Sequence, residues 1–224
     1  MRTVFHLFVV LCGLVLVQGF SNAEANTIDI NSRTHHAGNP VNIFLEATTY
    51  QIDVIGTGDG GAFNSWSAWN FTTCSNPLGC TRTSPTSFTG WLSAFQVASP
   101  NIASLEVEGV PLTPVSTVPT TAPFGSFFLV SSTQHFSRVD NGLLFPDALS
   151  SLANSLSSRF TLTAPGVVGF SIFDSASALG DNRGGVSLRI TKENGGNPIP
   201  EPSTLLLFGT GMAGLVGWRF RIKS

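Results

Sequence analysis

Alternation of apolar and polar side chains is the commonest pattern along the chain, and it predicts strands rather than helices. Tyr50-Gln51-Ile52-Asp53-Val54 alternates cleanly and stops at the glycine-rich turn Gly56-Thr57-Gly58-Asp59-Gly60-Gly61. Further strands are expected over Phe88 to Val97 and over Ala103 to Glu108, the latter with Leu105 and Val107 inward. Gly125 to Ser131, Arg159 to Leu162, Val167 to Phe173 and Val186 to Thr191 complete the set. A proline-rich stretch, Pro111 to Pro123, resists regular structure and reads as an extended loop. One helix is expected: Pro146 suits a first helical position, and Leu149, Leu152, Ala153 and Leu156 follow at helical spacing on one face. Several short strands, turn-rich loops and one small helix describe an all-β fold, an antiparallel jelly-roll-like β-sandwich with the helix covering one end.

Both ends of the chain depart from this pattern. Met1-Arg2 and the apolar run Val4 to Val17, interrupted only by His6, precede a polar, small-residue stretch ending at Ala25. That is the layout of a secretory signal peptide over residues 1–25, with cleavage after Ala23 or Ala25. Cys12 lies in the middle of the apolar run behind Leu11, which does not suit lipidation. At the other end, Glu193 to Pro198 reads as a flexible linker, here taken as residues 193–199. After it come Pro200-Glu201-Pro202, the apolar run Leu205 to Trp218, and a basic end of Arg219, Arg221 and Lys223. The prolines hold an extended segment that cannot join a helix or a ladder, leaving Glu201 accessible to an enzyme. The apolar run predicts a transmembrane helix over about 203–219, and its basic flank favours the cytoplasmic side, so the preceding domain lies outside.

This tripartite tail, residues 200–224, resembles the PEP-CTERM sorting domain, also called the ice-binding protein C-terminal domain. The resemblance implies a partner, the membrane transpeptidase called an exosortase, and transient membrane anchoring through the C-terminal helix. It further implies a Gram-negative, exopolysaccharide-making host, with delivery to periplasm, cell surface or extracellular matrix. It does not imply ice binding, and no regular threonine array suggests one. Gly209, Ala213 and Gly217, spaced four apart, read either as glycines of the sorting motif or as a close-packing helix face.

Composition adds limits. Only 11% of the residues are charged, and residues 26–197 carry 11 acids against 7 bases, a net charge of −4. Such a surface lacks the basic footprint of a nucleic-acid binder. Residues 26–192 are enough for one exported domain with its own core. Once the signal is removed, Cys74 and Cys80 are the remaining cysteines. They flank turn-forming residues, and a disulfide between them is expected in an oxidising compartment.

Candidate chemistry is sparse. Asp174, Asp181 and Asn182, followed by Gly184-Gly185, could fold oxygen ligands around Ca²⁺, and they equally suit an Asx-rich turn that needs no ion. The loop resembles the calcium loop of the small jelly-roll, galactose-specific bacterial lectins, where an Asp is followed seven and eight residues later by amide side chains. Ala178 and Asp181 depart from that pattern, the first where those lectins place a ligand-holding Thr. Trp66 and Trp69, in Gly60-Gly61-Ala62-Phe63-Asn64-Ser65-Trp66-Ser67-Ala68-Trp69, are candidate sugar-stacking rings or, equally, anchors of a long loop. The same stretch is similar to exported domains that precede PEP-CTERM tails. No nucleophile elbow, metalloprotease helix or phosphate loop is present. His35 and His36 are adjacent and make a poor chelate, and His135 near Asp140 lacks an arguable nucleophile. The expected function is therefore a non-enzymatic surface or matrix protein of exopolysaccharide or biofilm. A calcium-dependent carbohydrate-binding module is the alternative and a secreted hydrolase the third reading.

Overall fold

The computed structural model describes residues 25–68, 90–119, 125–132 and 135–193. The signal segment, Trp69, Cys74, Cys80 and the whole sorting tail lie outside them, so the expected disulfide and C-terminal helix are not among the described features. Among the described residues no helix is long and apolar enough to cross a membrane.

The described chain is mostly β-sheet in two layers. The first sheet runs in the order β1 (Ala25–Asn31), β13 (Arg183–Lys192), β3 (Thr49–Ile55), β11 (Ser158–Leu162), β6 (Ile102–Val107) and β7 (Val110–Pro111), with β4 (Trp66–Ser67) paired to one end of β13. The second runs β2 (Val41–Leu45), β12 (Gly166–Ser171), β5 (Phe95–Ala98), β10 (His135–Asn141), β9 (Gly125–Val130) and β8 (Pro114–Val115). All described pairings are antiparallel except β8 with β9.

Alternation explains the layering. Inward positions of the first sheet, including Ile30, Ile52, Leu105, Phe160, Leu188 and Ile190, meet Phe95, Val97, Phe128, Val139, Val168 and Phe170 of the second in one core cluster. Tyr50 and Phe160, directly paired across β3 and β11, stack at 5.5 Å, and the Tyr50 hydroxyl both receives Glu46 N–H at 3.0 Å and donates to Glu46 O. Leu105 and Val107 are buried as alternation requires. The outer face of the first sheet is polar: Ser187 donates to Asp29, Ser157 to Asp53, and Arg159 pairs with Glu106 and Glu193.

Several expectations need correction. The helix, α1 (Ala148–Ala153), is capped by Asp147, whose carboxylate accepts the Ser150 N–H and hydroxyl, each at 2.8 Å. Pro146 therefore precedes the cap rather than opening the helix, because a carboxylate satisfies an orphan N–H that proline cannot. Leu149 is 65% exposed and Ala153 is also exposed; the buried helical residue is Ser151, joined to Ser93 at 2.9 Å. Only Leu152 and Leu156 turn inward, Leu152 against Gly56 and Leu156 against the core. The strand expected over Phe88 to Val97 is shorter: Trp91 and Leu92 make isolated bridges to Phe145 and Trp66, and regular pairing starts at Phe95. The proline-rich loop donates two edge strands, β7 and β8, where a missing N–H faces no ladder partner. Val107 and Val110 pair across Glu108-Gly109, both at positive φ, in a two-residue hairpin turn.

Strands β1, β2 and β10 were not expected from the pattern. In β10 the inward Ser137 is polar and the outward Phe136 apolar, which breaks the alternation.

Candidate functional site

The second sheet has an unusual outer face. Antiparallel register aligns Ser171 of β12 with Gln96 of β5, Gln96 with Arg138 of β10, and Arg138 with Phe127 of β9. One row of side chains thus crosses four strands on the side away from the core. Ser171, Gln96 and Arg138 are each at most 5% exposed, and Asp140, the next outward residue of β10, is 7% exposed. This polar row forms part of a groove of about 1180 Å³. Its floor includes exposed Ala98 and half-buried Phe136, which face each other across β5 and β10. Pro40 and Asn42 wall it beside β2, while Leu143 and Leu144, both more than half exposed, form the opposite rim.

Within the row, the Ser171 hydroxyl donates to Gln96 Oε1 at 3.1 Å. Arg138 donates through Nε at 3.0 Å and through its terminal nitrogen at 2.5 Å to Asp140 Oδ2, and Asp140 Oδ1 accepts Gly142 N–H at 2.9 Å. The guanidinium lies 4.7 Å from the centre of the Phe173 ring, which meets Phe127 edge-on at 6.3 Å. Burial pushes the Asp140 carboxyl above its usual range, opposed by the Arg138 charge and the Gly142 N–H. It likewise pulls the Arg138 guanidinium down, against the attraction of Asp140.

The residues singled out from sequence fall around this groove and behind it. Trp66 lines one end, 3% exposed, and its indole N–H is committed to Ala94 O at 2.8 Å, so its ring anchors a loop as well as bounding the groove. Asp174 is also part of its lining. Asn182 is buried and sends its Nδ2 to both Ser32 O at 2.9 Å and Asp174 Oδ2 at 2.8 Å. The Ser32 carbonyl fixes that amide orientation, so Asn182 donates to Asp174, while its own Oδ1 is buried with no hydrogen-bond partner among the described residues. Asp181 is buried in a 3-10 turn over Leu179–Asp181. Among the described residues no group of three His, Cys, Asp or Glu side chains is placed to hold a metal.

The two glycine-rich motifs meet in one joint. Ser65 O accepts Gly185 N–H at 3.2 Å, Ala62 N–H reaches Asp29 at 2.9 Å, and Phe63 N–H reaches Ser187 Oγ at 2.9 Å. Gly184, at φ +73°, has no room for a Cβ against Ser65 O, nor has Gly185 against Ile30 O. The loop from Gly60 to Trp66 is thus laid across the start of β13.

His35 and His36 lie in the β1–β2 connection, each accepting a backbone N–H through Nδ1, from Asn31 and Gly38 respectively. His135 borders the groove with its Nδ1 buried, and among the described residues that atom has no hydrogen-bond partner. Asp140 turns its oxygens to Arg138 and Gly142 instead. The polar row was invisible to sequence reasoning because Gln96, Arg138 and Ser171 come from three distant segments. The one available signal was an opposite charge pair two apart, Arg138 and Asp140, which places both side chains on the same face of a strand.

No curated protein and no solved structure is significantly similar to the chain. A family model, the PEP-CTERM protein-sorting motif, matches residues 198–222. The chain therefore carries a PEP-CTERM protein-sorting motif behind a β-sandwich, and that motif implies an exported protein that an exosortase processes.

Proposed function

We propose that this chain is a non-enzymatic protein of the cell surface or extracellular matrix, delivered through its signal peptide and sorting tail to an exopolysaccharide or biofilm layer. The observation that carries the reading is the sorting motif at residues 198–222, following directly on a folded β domain. The sandwich supports it: a strand order of β1-β13-β3-β11 against β2-β12-β5-β10, with β6 to β9 inserted, suits a jelly-roll-like scaffold. A binding role fits the groove better than a hydrolytic one, since among the described residues no hydrogen bond joins His135 to a serine or a carboxylate.

Mass spectrometry of the mature ends tests the sorting. The protein recovered from the cell surface is expected to start near Asn26 and to end near Pro200-Glu201-Pro202. Replacing these three tail residues by alanine is expected to leave the full-length chain in the membrane fraction. An intact 200–224 tail on the surface-exposed protein would refute the reading.

A further inference from the structure

We infer that the groove on the outer face of the second sheet is a binding site for a neutral, extended glycan chain, held without a metal ion. The inference deepens the surface-protein reading only in naming the ligand; the binding stands or falls separately from tail processing.

The first argument is the contrast between the two sheets. The outer face of the first sheet is closed by its own exposed polar pairs. That of the second holds a buried ion pair and a buried amide beside about 1180 Å³ of open groove. Burying charge on a sheet face costs stability unless the pair is well satisfied, and it is a poor route to stability alone. Convergent polar groups in a largely apolar cleft are instead the usual composition of a ligand site.

The second argument is chemical. Gln96 accepts from Ser171 through its carbonyl, while its amide N–H groups have no acceptor among the described residues. Asn42 adds a further amide on the β2 side, and His135 borders the groove beside it. Between these lie the apolar surfaces of Ala98, Phe136 and Val167. A pyranose chain alternates C–H faces with hydroxyls that both donate and accept, which matches such a lining. A lipid would strand the polar groups. A peptide would leave its own backbone unpaired, because the groove lies over a sheet face whose ladders are already complete, not along a free edge.

Charge selects the neutral class. Arg138 and Asp140 cancel, Asp174 adds a negative charge to the lining, and residues 26–197 carry a net −4, so a polyanionic chain is repelled. From β2 to β10 the floor crosses four strands, about 14 Å at ordinary strand spacing, which suits several linked rings rather than one.

The test is affinity electrophoresis and calorimetry of the full chain in mild detergent, against xyloglucan, galactomannan, laminarin and dextran, with alginate and polygalacturonate as acidic counterparts. At least one neutral polysaccharide is expected to bind, equally well with and without EGTA. Ala98→Trp, which fills the floor from an exposed position, is expected to weaken binding on the order of tenfold or more with unchanged thermal unfolding. Phe136→Ala is expected to weaken it several-fold, while Arg159→Ala on the other sheet leaves it intact. Four results would overturn the proposal: no neutral polysaccharide bound, binding to the acidic polymers alone, binding that survives Ala98→Trp, or binding abolished by EGTA. The last would transfer the ligand to the Asp174 loop. None of these outcomes depends on where the mature chain ends.

Discussion

At the residue scale, the decisive side chains are polar ones in buried positions. The Arg138–Asp140 pair is retained although hydrophobic residues of similar size would pack there at less cost. Removing Asp140 takes away the carboxylate that two guanidinium nitrogens of buried Arg138 reach. Asp140→Ala is expected to cost about 3–5 kcal/mol in urea unfolding, and the double change Arg138→Met with Asp140→Val to recover most of it. Trp66 offers a second case. Trp66→Phe keeps most of the ring but leaves the Ala94 carbonyl unpaired, and a loss of about 1–3 kcal/mol is expected by the same measurement. Asp147 is shifted in the opposite direction to Asp140. The Ser150 N–H and hydroxyl hold its carboxyl below the usual range, so its stabilising share is complete above the unfolded value of about 4 and is lost as pH falls through the depressed one. Asp147→Ser keeps a cap without the titration. Its urea midpoint is expected to fall less than that of the unaltered chain between pH 6 and pH 3.

At the element scale, β13 organises the molecule. It is the longest of the described strands, lies between β1 and β3, and receives the Gly60-to-Trp66 loop over its first residues. Gly184 permits that crossing by its positive φ and its missing side chain. Gly184→Ala is expected to cost at least about 2 kcal/mol by thermal or urea unfolding, through backbone strain and displacement of Ser65. Sequence alternation located β3, β6, β11 and most of β13, where apolar residues point inward and polar or small ones mostly outward, and β9 as a run of apolar residues. It missed β10 because a polar residue, Ser137, stands at an inward position and an apolar one, Phe136, at an outward position. It over-extended the helix face because six residues cover less than two turns, and Leu149 has nowhere to pack.

At the scale of the whole molecule, the first described strand pairs with the last. Seven residue pairs from Ala25 with Thr191 to Asn31 with Gly185 join the two ends of the β domain. The sandwich therefore needs its full length through β13. A chain ended at Glu193 is expected to keep a cooperative unfolding transition by circular dichroism, and one ended before Arg183 to lose it. Either expected signal cleavage, after Ala23 or Ala25, leaves Ile28 and Ile30 in the core.

Taken by itself, the sequence determined the sorting motif and the β-rich class. Both rest on contiguous signals: a linear motif read in extended chain, and a period-two alternation within single strands. Tertiary structure alone decided the groove. Its polar row is assembled by inter-strand register, which brings Ser171, Gln96 and Arg138 side by side from segments whose separation in the chain says nothing of their adjacency. The glycine motifs followed the same logic. Each looked like a site along the chain, and only packing made them the two halves of one joint.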